Sequence, residues 1–348
     1  MPRLQPLMLI HGFGGHPDLW TNTGFFQTLV RLADVDPDLI HRFHYGWDED
    51  GAYNAYEDIR RLAARLTTRP APHPEDARSQ VRRLSEKSRA RGGQVEVIII
   101  AFSMGGLIAR YWMSRRQPDQ FGTLFDAPVK ALITVGTPHL GVSLAEVTDL
   151  LPHHHWRRWL LRAVEWLPFP RGQPVTLLRL WQGRLAAMQR RAIGELLSDL
   201  PGVDLIASPA LRQLQPDSDF LRRLNRADQW PTGVEAALLW GEIRLAVRIT
   251  WKQYTLWSDT INLGDLVVSA RSASTLVGAP VRRRRALVNE TEIAVPLDRV
   301  DDLVMPEATV LDLSELLPPE QHNNLLKQED VHRTVAQWVV ELSATSPQ

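Results

Sequence analysis

Ser103 stands between two small residues, Ala101 and Gly105, in the run Val97-Ile-Ile-Ile-Ala-Phe-Ser-Met-Gly-Gly-Leu-Ile-Ala-Arg110. A serine hydroxyl is a weak nucleophile at neutral pH. It needs a base within hydrogen-bond reach, and the base needs a carboxylate that fixes its tautomer and stabilises its protonated form. Downstream, His322 and His332 are candidate bases, and Asp265, Asp259, Asp301 and Asp302 are candidate acids. Of these, His322 is favoured because it falls in a loop after a strand-like segment, where a ring is free to reach back. His332 falls inside a closing helical pattern and is expected at the surface. Asp265 is favoured because it occupies a glycine-containing turn, Gly264-Asp-Leu-Val-Val268. The order Ser, Asp, His is the one expected when such groups ride on successive strand ends.

The elements that would hold these groups are legible in the hydrophobic pattern. Val97 to Ile100 is β-branched throughout and predicts a strand buried on both faces. The helical spacing of Leu107, Ile108 and Tyr111 predicts a helix directly after the serine. A strand turning sharply into a helix with serine at the corner is a nucleophile elbow. It demands small residues two before and two after the serine, and alanine replaces the usual leading glycine here. The plainer alternative is a serine that only caps the helix. Leu7-Met-Leu-Ile10 predicts another strand, followed by His11-Gly-Phe-Gly-Gly15. Glycines on both sides of Phe13 let the backbone fold over the strand end. The Phe13 and Met104 amides are therefore the expected oxyanion donors.

Further strands are expected at 39–45, 129–135, 236–240 and 309–313, with helices at 54–66 and 75–91, short helices within 208–225 and a helix closing the chain. Alternation of strand and helix predicts an α/β fold with a mostly parallel, doubly wound sheet, whose sites gather at the carboxyl ends of the strands. Val331, Val335, Trp338 and Val339 are expected to face inward. Arg282 to Arg285 is expected to be a solvated basic loop. His139, in the loop Gly136-Thr-Pro-His-Leu-Gly141, is expected to line the substrate pocket.

The totals exclude several classes. Lys plus Arg and Asp plus Glu are each 40, a net charge of +0, so nothing draws the whole chain to nucleic acid. Cysteine is absent, which removes thiol catalysis, disulfides and cysteine metal sites. His153-His154-His155 lacks an acidic companion, and no metal or cofactor is expected. The amino-terminal residues carry no apolar leader and no run is long enough to span a bilayer, so a soluble, cytoplasmic protein is expected.

Residues 143–200 break the alternation. Trp156, Trp159 and Trp166 fall on one helical face and Leu178, Trp181 and Leu185 on another. Residues 151–200 hold eight arginines against Glu165, Glu195 and Asp199, a surplus of 8 − 3 = +5. The expectation is an inserted helical cap between core segments 1–142 and 201–348, with Trp156, Trp159 and Trp181 lining the pocket. Basic amphipathic helices of this kind also suit a lipid interface, which would make the protein membrane-peripheral.

His11-Gly-Phe-Gly-Gly15, Ala101-Phe-Ser-Met-Gly-Gly106, Gly136-Thr-Pro-His-Leu-Gly141, Ser208-Pro-Ala-Leu, Gly264 to Ala270 and His322-Asn-Asn-Leu resemble the α/β-hydrolase lipases and esterases. The resemblance extends to bacterial triacylglycerol lipases, the lecithin:cholesterol acyltransferase group and the GPI inositol-deacylase-like enzymes. It spans nearly the whole chain, least in 143–200. It implies an α/β-hydrolase fold, Ser103 as nucleophile, Asp265 as acid, His322 as base and the Phe13 and Met104 amides as oxyanion donors. The family usually has glycine after the acid, where this chain has Leu266. The implied activity is hydrolysis of small-molecule or lipid acyl esters. Transfer of the acyl group to an alcohol, or deacylation of a phospholipid or GPI-type lipid, uses the same groups. A non-catalytic lipid- or partner-binding protein on this fold is the third alternative.

Overall fold

The computed structural model describes residues 2–45, 57–67, 80–142, 208–296 and 321–344. The predicted insertion, with Trp156, Trp159 and Trp181, the His153–His155 run, the strand at 309–313, and Asp301 and Asp302 lie outside the described residues.

A seven-stranded sheet organises the rest. Its strands are β1 (Leu7–Ile10), β2 (Ile40–Phe43), β3 (Val97–Phe102), β4 (Val129–Val135), β5 (Glu235–Trp251), β6 (Tyr254–Leu263) and β7 (Val281–Pro296). The order is β2-β1-β3-β4-β5-β6, with β7 also on β5. Among the described strands only β6 runs antiparallel, against β5; the other six run parallel to one another. The helices are α1 (Leu19–Asn22), α2 (Phe25–Ala33), α3 (Ile59–Thr67), α4 (Gln80–Ala90), α5 (Met104–Met113), α6 (Pro209–Leu214), α7 (Asp219–Leu224), α8 (Ala270–Ser274), α9 (Gln321–Asn324) and α10 (Glu329–Ala344).

Strand periodicity sorts the core into two layers, since alternate side chains leave opposite faces. Leu7, Leu9, Ile98 and Ile100 pack with Phe25, Leu29, Val335 and Val339 from α2 and α10. Met8, Ile10, Val97 and Ile99 pack with Leu62, Leu66, Leu107 and Trp112 from α3 and α5. Strands buried on both faces read as unbroken apolar runs, which is why β1, β3 and β4 stand out in the sequence.

The chain leaves β1 toward β2 on one side and returns to β3 on the other. The direction of winding therefore reverses between β1 and β3, and parallel sheets hold their ligands in the crevice at such a reversal. The loops carrying Phe13 and Ser103 both open there.

Two expectations are corrected in this part of the molecule. Arg282 to Arg285 is not a loop but the start of β7, paired with Ala237 to Trp240 of β5. Two of the four charges are met by distant carboxylates: Arg282 binds Glu235 at 3.2 Å and Glu341 at 2.6 Å, and Arg285 binds Glu242 at 3.2 Å. Charge on an outer strand also discourages edge-to-edge association. His332 is buried rather than at the surface. Its Nε2–H donates to Leu326 O at 2.7 Å, and its ring meets Phe25 edge-on at 5.1 Å.

Candidate active site

Ser103 joins β3 to α5 with φ 52° and ψ −129°, a left-handed conformation that side chains rarely adopt. The surroundings enforce this strain. Its N–H donates to Val135 O at 2.9 Å across to β4, and α5 starts at the next residue. Its side chain makes no cap hydrogen bond, so the hydroxyl is not spent on the helix. The chain here passes so close to β1 that a Cβ on Gly105 would run into the carbonyl oxygens of His11 and Ile10. A Cβ on Gly106 would strike the Thr137 side chain. Both glycines are therefore required by packing around the turn.

The His11–Gly15 loop lies directly over the serine. A Cβ on Gly12 would stand 2.7 Å from Ser103 Cβ and 3.3 Å from its Oγ. The Gly15 N–H donates to Gly12 O at 3.1 Å, and Gly14 has φ 68°, so Phe13 occupies the corner of a tight turn beside Ser103. Met104 is the first residue of α5, where N–H groups lack an intrahelical acceptor. The helix dipole adds positive potential at the same point.

Tyr45, which sequence reading passed over, holds this loop from below. Its hydroxyl donates to His11 O at 2.7 Å, and its ring stacks on His11 at 4.0 Å and 6°. His11 Nδ1–H donates to the Gly12 carbonyl at 3.0 Å. Burial pushes the His11 imidazole down to about 3, so the ring is neutral at working pH. The only signal for Tyr45 in the sequence is its place at the end of β2.

On the other side of Ser103, His322 belongs to α9, a single helical turn rather than a loop. Its ring stacks on Phe102, the neighbour of Ser103, at 4.8 Å and 28°. His322 Nδ1 lies 2.7 Å from Asp265 Oδ2. Nε2 is buried and carries no hydrogen bond among the described residues, so it is not bonded to Ser103 Oγ in this structure. Such bonds are often long before substrate arrives. Gly136, at φ 58°, leaves room for the pair: a Cβ there would sit 3.2 Å from His322 Cε1 and 3.3 Å from Asp265 Oδ2.

Asp265 is fixed by the turn it starts. Its Oδ1 accepts from Val267 N at 3.2 Å and Val268 N at 2.8 Å, leaving Oδ2 for the histidine. Leu266 takes φ 71°, the conformation that glycine at this position would take without strain. The difference from the family pattern therefore changes the residue and keeps the turn.

His139 is corrected. It is closed off from solvent: the ring is fully buried, with Arg110 Nη1 at 3.1 Å from Nδ1 and Thr134 Oγ1 at 3.2 Å from Nε2. Arg110 also donates to Leu224 O at 3.1 Å and Asn225 Oδ1 at 2.8 Å. His139 thus ties the 136–141 loop to α5 and α7. Among the described residues no group of His, Asp or Glu is arranged to hold a metal ion, and no helix is long and apolar enough to cross a membrane.

The described structure thus brings a serine on a strained strand-to-helix turn and a buried histidine–carboxylate pair to the same region of the sheet. A family model described as alpha/beta hydrolase fold matches residues 5–198, and the chain belongs to that family. The match covers Ser103 and stops short of Asp265 and His322. Among solved structures the chain is similar to a Legionella pneumophila phospholipase, PlaB, at 14% identity and a TM-score of 0.35 over 97% of this chain and 62% of that one. It thus spans less than two thirds of that phospholipase. It is similar to the Bacillus licheniformis lipase BlEst2 in its mature form at 14% identity and a TM-score of 0.38, over 82% and 85% of the two chains. For lipase 1 of Pelosinus fermentans the values are 13%, 0.37, 93% and 98%. No curated protein matches the chain by sequence.

Proposed function

We propose that the protein is a serine ester hydrolase that cleaves acyl esters through an acyl-enzyme on Ser103. The observation that carries this reading is the buried 2.7 Å contact of His322 with Asp265, beside a serine held at φ 52°. With Nδ1–H donated to the carboxylate, Nε2 is the basic nitrogen. Ser103 Oγ attacks the ester carbonyl carbon while its proton passes to Nε2. The carbonyl oxygen becomes an oxyanion facing the Phe13 and Met104 amides, each such donor being worth about 10²- to 10³-fold in rate. Collapse breaks the bond to the alkoxy group, which leaves with the Nε2 proton as an alcohol. Water then repeats the sequence on the acyl-enzyme and releases the carboxylic acid.

The substrate class we propose is a lipid-like ester. Its support is the tryptophan-bearing basic insertion at 143–200, the segment that would cover the mouth of the site and meet a lipid interface. Trp156, Trp159 and Trp181 are the residues proposed to contact the acyl chain. Hydrolysis of p-nitrophenyl esters from acetate to palmitate, with and without a lipid interface, tests both levels. Turnover rising with chain length and with the interface supports the lipid reading. Turnover confined to short esters removes the lipid reading and keeps the esterase. No turnover of any ester, together with no labelling by a fluorophosphonate, removes both.

A further inference from the structure

We propose that a second concavity, on the outer side of α3, α5, α6 and α7, binds a phosphate-bearing ligand. The cavity measures about 530 Å³ and is remote from Ser103. Tyr111, in its wall, is eight residues further along α5, about 12 Å by helix rise.

The case rests on a charge account at the cavity wall. Two carboxylates are there, Asp58 and Asp219, and both are already engaged. Asp58 takes Arg60 Nε at 2.8 and 2.9 Å on its two oxygens and Gln213 Nε2 at 2.7 Å. Asp219 pairs with Arg222, which is not in the wall. Three more guanidinium groups line the cavity, those of Arg115, Arg212 and Arg223. Arg115 donates only to neutral acceptors, Ser114 Oγ at 3.1 Å and Gln229 Oε1 at 2.8 Å, and lies over the Tyr111 ring at 4.7 Å. Arg212 and Arg223 make no side-chain hydrogen bond and no ion pair within 4 Å among the described residues, and Arg223 feels only the more distant charge of Asp219, which Arg222 already holds.

Single unpaired arginines on a convex surface call for no ligand. Three that line one hollow can share an anion, and each lowers its energy by doing so. A lone carboxylate would answer one of them. A phosphate monoester, with a charge of about −1.5 to −2 and three acceptor oxygens, suits the set, and guanidinium forks match its geometry. The Tyr111 and Phe220 rings, 5.8 Å apart, supply an apolar floor for the organic part of the ligand. A neighbouring hollow of about 320 Å³ shares Arg115 and adds Arg116 together with Asp228, whose carboxylate is paired with Arg226 at 3.2 Å. The wall is preformed, since Arg110 pins the end of α7 through Leu224 O and Asn225.

The site does not depend on the ester-hydrolase reading, and its test is separate from it. Calorimetric titration of the full chain with phenyl phosphate probes a soluble source of the phosphate. Co-sedimentation with phosphatidylcholine vesicles, with and without phosphatidic acid, probes a lipid headgroup. Saturable binding of either probe, weakened by salt, is expected. Arg212→Ala/Arg223→Ala should weaken it about tenfold or more, while Arg333→Ala, on α10 and outside both hollows, leaves it unchanged. Turnover of p-nitrophenyl acetate should be unaltered in these variants. Phenyl phosphate alone binding identifies a soluble ligand; vesicles alone identifies a headgroup. Binding of neither probe overturns the proposal. So does a double variant that binds like the parent, or equal loss in Arg333→Ala.

Discussion

His322 Nδ1 stands 2.7 Å from Asp265 Oδ2, with side-chain exposures of 2% and 1%. A contact this dry fixes which ring nitrogen carries the proton and leaves Nε2 as the basic one. Asparagine at 265 would keep Oδ1 for the Val267 and Val268 amides, and so keep the turn. Its amide would present the wrong partner to Nδ1. Asp265→Asn should therefore lower ester turnover about 10⁴-fold with an unchanged melting temperature. Asp259→Asn, on β6, should leave turnover unaltered. Steady-state kinetics on both variants checks this, and the reverse result would move the acid.

Tyr45 supports the His11–Gly15 loop and should act on the proposed reaction through it. Tyr45→Phe keeps the ring against His11 and deletes one hydrogen bond to the His11 carbonyl. A bond of this kind is worth about 0.5–1.5 kcal/mol. If it holds the Phe13 amide in register, kcat should fall up to about tenfold while KM stays constant. A purely structural bond would lower the melting temperature and leave kcat alone.

Gly105 offers a test of the crowding at the turn. Alanine there meets backbone oxygen of His11 and Ile10, atoms that cannot swing aside. Overpacking of this kind costs about 1–3 kcal/mol. Gly105→Ala should lower the melting temperature by several degrees and lose activity in the fraction that remains folded. A variant as stable and active as the parent would mean that the strand and helix are further apart than described.

Acid should destabilise the fold through buried imidazoles. His11 is held at about 3 by burial, and His139 well below its ordinary 6.5 by burial and then by Arg110. The folded state keeps both neutral while the unfolded chain takes up protons below about 6.5. Their contribution is complete above that value and is lost as pH falls below it, for His11 down to about 3, by up to about 1.4 kcal/mol per pH unit for each ring. Thermal unfolding followed from about pH 7 to about pH 5 should show a falling midpoint. A flat profile would mean that these rings are not buried and neutral.

Much of the fold was legible because buried parallel strands and a strand-to-helix turn leave strong local patterns. The apolar runs of β1, β3 and β4 and the inward positions of α10 are of this kind. So is the meeting of His322 with Asp265, since a glycine-containing turn suits an acid whose backbone must double back. What escaped depends on distant partners. Arg282 to Arg285 is solvated as expected, but it reads as a loop unless its pairing with β5 is known. His332 and His139 look available until Leu326 O, Arg110 and Thr134 are placed around them. Tyr45 and the left-handed Leu266 carry no local mark, because a side chain's hydrogen bond and a residue's φ are set by the chain around them.

The most direct measurement is ester hydrolysis by Ser103→Ala beside the parent protein, with folding followed by circular dichroism. The account predicts a loss of about 10⁴- to 10⁶-fold in kcat with the spectrum and melting temperature preserved. Near-parental hydrolysis by the folded variant would contradict it.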